Sequence, residues 1–142
     1  MIKLLLTTIL FLSILTLAIC QTTMKTYCHA PKVTIRAVEN DSLPSESYRV
    51  GVKFVFETYF KDTVSIYVDE LCVAKKHLKS SSNGFAAAID VRVHPSQEIL
   101  LKTDRGECTQ FILKRGYKYL YIGRSDNNNW TLAYSNYLWG YY

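Results

Sequence analysis

Tyr48-Arg49-Val50-Gly51-Val52-Lys53-Phe54-Val55-Phe56-Glu57-Thr58-Tyr59-Phe60 alternates almost without a break. Its even positions hold Tyr48, Val50, Val52, Phe54, Phe56, Thr58 and Phe60, and its odd positions include Arg49, Lys53 and Glu57. Successive side chains of a strand point to opposite faces, so this spacing predicts a long strand with one apolar side. Gly51 falls on the polar side and marks a candidate bend or bulge.

The same period spreads outward from this stretch. Val33, Ile35 and Ala37 form an earlier candidate strand, and Val64, Ile66 and Val68 form another after a turn at Lys61-Asp62. Phe85 to Val93 alternates in the same way. Tyr117 to Ile122 reads as an aromatic strand stopped by Gly123, and Trp130 to Tyr134 follows the polar turn at residues 126–129. Helical spacing is weak, its best candidate being a turn or two across Leu71 to Leu78. Ser80 to Gly84 is a loop inside the domain, because strand patterning resumes at once. Short strands separated by turns predict an all-β sandwich or small barrel without internal repeats.

Composition bounds the rest. The chain has 142 residues, 49% hydrophobic and 20% charged, which excludes a disordered class and allows one domain. Lys3 followed by the apolar run Leu4 to Ile19, ending at Ala18-Ile19-Cys20, reads as a secretory signal over residues 1–20. The run is shorter than the roughly 20 apolar residues of a bilayer crossing. The expected product is a soluble, secreted domain over residues 21–142 with no stable membrane insertion. The formal charge of +5 falls to +4 once Lys3 is removed, which suits acidic partners such as sulfated glycans. No basic block of nucleic-acid type is present.

Secretion makes Cys20, Cys28, Cys72 and Cys108 disulfide candidates before metal ligands or nucleophiles. Cleavage before Cys20 leaves four cysteines and cleavage after it leaves three. His29, His77 and His94 lie far apart, and a zinc site from Cys28, His29, Cys72 and His77 matches no common ligand spacing. No nucleophile elbow, metalloprotease helix motif or phosphate loop occurs, so neither catalysis nor a cofactor is expected. The densest cationic cluster, Lys75, Lys76 and Lys79 with His77 between, is a candidate docking patch for anionic matrix glycans or membrane headgroups. Its plainer alternative is a solvated face. Asn40-Asp41-Ser42 and Asn129-Trp130-Thr131 are sequons in expected loops, making Asn40 and Asn129 N-glycosylation candidates.

Cys28 followed by Val33-Thr34-Ile35-Arg36-Ala37, the strand ending at Phe60-Lys61, and Cys108 followed by Gly116 and Tyr119-Leu120-Tyr121-Ile122-Gly123 together resemble netrin-like domains. Within that group the pattern is similar to tissue inhibitors of metalloproteinases. The resemblance implies a five-stranded, oligonucleotide/oligosaccharide-binding-type β-barrel with at most one short flanking helix. Its expected core is Val33, Ile35, Val52, Phe54, Phe56, Ile66, Ile89, Val91, Leu120 and Ile122. It also implies that Cys108 is bonded to the N-terminal segment, through Cys28 or Cys20. Departures are clear: no Cys-x-Cys opening, no late cysteine near Ala133 to Tyr137, and no family counterpart for Cys72.

Two functions follow as expectations. The first is a secreted netrin-like binding module for an extracellular protein or sulfated glycan. The second is an inhibitor whose N-terminal Cys20 chelates the catalytic zinc of a metalloproteinase. Without a free Cys20 amine and its bracing disulfides, that wedge loses its preorganisation, so weak inhibition or none is expected. An oligonucleotide-binding role is disfavoured by secretion and by the modest charge.

Overall fold

Lys61–Val68 has a carboxylate and three β-branched apolar residues at every second position, and it becomes the centre of a sheet. The computed structural model describes residues 27–36, 51–94, 96–125, 127 and 129–140, and these contain nine strands and no helix. They are β1 (Lys32–Ile35), β2 (Val52–Phe56), β3 (Lys61–Val68), β4 (Leu71–Lys79), β5 (Ala87–Val91), β6 (Glu98–Thr103), β7 (Cys108–Ile112), β8 (Tyr119–Arg124) and β9 (Trp130–Ser135). Five form a sheet in the order β1-β9-β8-β2-β5, and four form a second in the order β4-β3-β6-β7. The fold is all-β. Both sheets run from edge strand to edge strand, so the described residues form no closed barrel.

The sheets share one core. Phe54, Phe56, Leu120, Ile122, Leu132 and Tyr134 of the five-stranded sheet pack with Val64, Ile66, Val68, Ile99 and Leu101 of the other. Val52, Phe54, Phe56, Ile66, Val91, Leu120 and Ile122 are buried as expected, and Ile89 packs partly against them. Val33 and Ile35 are not core residues: they remain 41% and 53% exposed. Their partners Leu132 and Tyr134 are buried, but β1 is the outermost strand, beyond the reach of the opposing sheet.

Other expectations need correction. Lys61 and Asp62 begin β3 rather than forming a turn; the reversal falls at Thr58 and Tyr59, where Tyr59 takes a φ of 65°. Gly123 does not stop β8, which continues to Arg124. A Cβ at Gly123 would lie 2.7 Å from Thr131 Oγ1, so glycine there permits close approach of β9. Leu71 to Leu78 is an extended strand, not a helix: every residue from Asp62 to Val68 finds a partner on it. A bulge interrupts that pairing: Ile66 faces Ala74 but Tyr67 faces Cys72, leaving Val73 as the extra residue.

The β3–β4 connection is two residues long, with Asp69 at φ 45° and Glu70 at φ 70°. Two positive φ angles define the mirror-image turn whose twist matches a hairpin. Asp69 offsets the strain by accepting hydrogen bonds from the Glu98 amide (3.0 Å) and Gln97 Nε2 (2.7 Å).

Two features join the sheets. Cys28 is disulfide-bonded to Cys108 of β7, just before the chain crosses to the other sheet as β1. Alongside, the His29 amide donates to Cys108 O (3.2 Å) and Thr109 Oγ1 donates to His29 O (2.8 Å). At another point Arg124 of β8 donates to Asp62 of β3 at 2.6 Å and to Glu107, with Phe60 and Trp130 rings 5.6 and 5.3 Å from its guanidinium.

Candidate functional site

Antiparallel register determines which cations share a face. On β3, the outward residues are Lys61, Thr63, Ser65 and Tyr67, alternating with buried Asp62, Val64, Ile66 and Val68. Across from them on β4 stand Lys79, His77, Lys75 and Cys72. Ser65 is also paired with Lys102 of β6, so Lys75, Ser65 and Lys102 form one row across three strands. Strands lie about 4.8 Å apart, which puts the two lysine backbones about 10 Å from each other. Arg105, in the β6–β7 turn, donates from Nη2 to Lys61 O (3.4 Å) and completes the cationic end.

Thr63, Ser65, Tyr67, Lys75, Lys102 and the turn at residues 103–106 line a cleft of about 440 Å³. Lys75, Lys102 and Arg105 line it with one acid, Asp104, and the paired Lys61 and Lys79 stand on the same face outside the cleft. None of the five has an ion pair among the described residues, where such pairs involve Arg36, Lys53 and Arg124. The opposite end of the same sheet carries Asp69, Glu70 and Glu98, all exposed. The face is therefore graded from positive to negative along its strands.

The proposed docking triad is split by the fold. Lys75 and Lys79 lie on this face with His77, whose Nδ1 is 3.4 Å from Thr63 Oγ1. Lys76 pairs with inward-facing Val64 and so points to the other side of the edge strand. Sequence reading missed Lys61, Lys102 and Arg105, which lie on three different segments and meet only through the register.

Of the cysteine candidates, Cys108 takes Cys28, while Cys72 is an exposed free thiol beside Tyr67 on β4. Cys20 and Asn40 lie outside the described residues, as does the expected signal segment. Asn129 is exposed in the β8–β9 turn, its amide donating to Ser125 Oγ (3.3 Å). Among the described residues no group of three His, Cys, Asp or Glu side chains is placed to hold a metal ion.

The outer face of the five-stranded sheet is mostly covered. Val55, Tyr121 and Ala133 form a second small core there with Phe85 and Tyr119. The chain beyond β9 is strapped to it: Tyr121 donates its hydroxyl to Tyr137 O (2.9 Å) and accepts from the Trp139 amide (2.7 Å). Arg36 stacks 4.8 Å over the same ring while gripping Glu57 through two 3.0 Å bonds. Burial pushes the Tyr121 hydroxyl above its ordinary pKa, against the opposing pull of the Trp139 amide and Arg36. Tyr134 is raised too, chiefly by burial.

No family model, curated protein or solved structure matches the chain. The functional reading rests on the site itself. No helix among the described residues is long and apolar enough to cross a membrane.

Proposed function

We propose that this protein is a secreted, non-catalytic module that binds a sulfated glycan on the outer face of its four-stranded sheet. The observation that carries the reading is five cations on one face without ion-pair partners among the described residues. Thr63 and Ser65 hydroxyls stand between them and can donate to sulfate or sugar oxygens. Nucleic acid fits less well, because sequence-tolerant binding of single strands uses aromatic platforms and only Tyr67 lines this cleft. Secretion is supported by the apolar N-terminal run and by a disulfide, which persists in oxidising compartments.

Magnitudes favour a polymer over a small anion. Exposed charge pairs contribute about 0.2–1 kcal/mol each, so five give at most about 5 kcal/mol, a dissociation constant no tighter than about 0.2 mM. Useful affinity then needs a chain long enough to engage several cations together. The Cys28–Cys108 bridge is one of the two pairings that the netrin-like resemblance implied for Cys108. Nine strands in two open sheets weigh against that family's five-stranded barrel. The inhibitor reading depends on Cys20 and gains no support from the described residues.

Heparin chromatography with a salt gradient tests the proposal. The wild-type protein is retained and elutes earlier when Lys75→Gln and Lys102→Gln are combined, whereas Lys32→Gln on exposed β1 leaves elution unchanged. Passage of the wild type through the column at low salt, or equal shifts for all variants, refutes it.

A further inference from the structure

We propose a second, separate binding site on the five-stranded sheet: a hollow over Gly51 that takes a single carboxylated sugar residue. The hollow is built by register. Asp90, Lys53 and Tyr119 form one outward row across β5, β2 and β8. One step further along, Arg92 follows Asp90 and Gly51 precedes Lys53, so the place beside Arg92 has no side chain. A Cβ at Gly51 would meet only Val91 O, at 3.7 Å. The resulting cleft, about 420 Å³, is lined by Gly51, Lys53, Asp90, Arg92, Lys118 and Tyr119, with Val52 and Val91 at its floor.

Its chemistry selects an anion with an apolar face. Lys53 and Asp90 neutralise each other, the ammonium lying 2.9 and 3.0 Å from the two carboxylate oxygens. Arg92 and Lys118 are exposed and make no ion pair among the described residues, leaving two cations to bind a carboxylate. The guanidinium provides a planar pair of donors suited to that group. Tyr119, half-buried and 6.4 Å from Tyr121, is held against the small outer core and presents a ring against which the C–H face of a sugar can lie. The paired Lys53 and Asp90 supply a donor and an acceptor for hydroxyls. A bare inorganic anion uses only the two cations, and a neutral sugar uses only the ring and the ion pair. An acidic sugar uses all of them.

This site does not depend on the sulfated-glycan reading, since the two clefts lie on different sheets. The test is amide chemical-shift titration of the full secreted protein with glucuronate, glucose and sulfate in parallel. Glucuronate is expected to shift Gly51, Lys53 and Tyr119 and to bind about tenfold more tightly than either control. Arg92→Gln combined with Lys118→Gln weakens glucuronate by about tenfold, while Lys75→Gln with Lys102→Gln leaves it unchanged. The four replaced side chains are surface groups, and the variants' melting curves verify folding. Shifts absent from this cleft, glucose or sulfate shifting Gly51, Lys53 and Tyr119 at as low a concentration as glucuronate does, or loss of these shifts only in the Lys75/Lys102 variant overturns the proposal.

Discussion

Asp62 and Arg124, 62 positions apart, meet at 2.6 Å between the sheets with side chains only 2% and 3% exposed. Glu107 lies on the other terminal nitrogen of the guanidinium and is less buried. Removing one member of a buried pair strands the other charge and costs about 3–5 kcal/mol. Arg124→Met is therefore expected to lose about that much in urea unfolding. Asp62→Leu combined with Arg124→Met recovers most of the loss, since Glu107 can reach water. A double variant no more stable than the single one contradicts this account.

The Cys28–Cys108 bridge spans a separation of 80 residues, long enough for a large effect on the unfolded chain. Replacing both cysteines by serine should lower stability by about 2–5 kcal/mol. Reductant then shifts the unfolding midpoint of the wild type toward that of the variant and leaves the variant in place. Cys72, free and exposed, reacts with a thiol reagent in the folded protein without reductant.

Glu70 occupies a φ of 70° in an exposed turn, a conformation glycine adopts without steric penalty. Glu70→Gly is expected to raise stability by about 0.5–1 kcal/mol and to raise the melting temperature. Asp69→Ala, which frees the Glu98 amide and Gln97, should move it the other way.

Burial raises the pKa of both Tyr121 and Tyr134 above 10.0. The unfolded chain thus releases these protons at lower pH than the folded one. Their stabilising contribution is complete below pH 10.0 and declines as pH rises through the folded values. Stability measured against pH should fall on the alkaline side, and the fall should be shallower in Tyr134→Phe. An unchanged alkaline slope in that variant assigns the decline elsewhere.

Strands β2, β3 and β5 were legible because a buried face imposes a period of two on the sequence, and β8 and β9, buried on both sides, were legible from their aromatic residues and the polar turn between them. Strand β4 was not, and its bulge explains why. The extra Val73 puts Leu71 and Ala74 three residues apart on one side of the strand, and Lys76 then interrupts that side before Leu78, so its apolar residues fall three and four apart, the spacing of a helix. Strand β6 was hidden by Ile99-Leu100-Leu101, where apolar residues occupy both faces, and β7 is only five residues long. Two members of the cationic face, Lys75 and Lys79, could be read from their proximity in sequence. Lys61, Lys102 and Arg105 could not, since no local pattern reveals which strands will be neighbours. The hollow at Gly51 left one trace, a glycine on the polar side of an otherwise continuous strand.

The two sheets also differ in how soon they can form. All four strands of the β4-β3-β6-β7 sheet lie between residues 61 and 112, and each pairs antiparallel with its neighbours. The other sheet pairs β1 with β9 and β2 with β8, both in parallel, uniting opposite ends of the chain. Contacts of high sequence separation are slow to make because the loop entropy is lost before any contact is gained. During synthesis the four-stranded sheet can assemble while Trp130 to Ser135 is still unmade, and β1 must wait beside an unfilled edge until the last strand emerges.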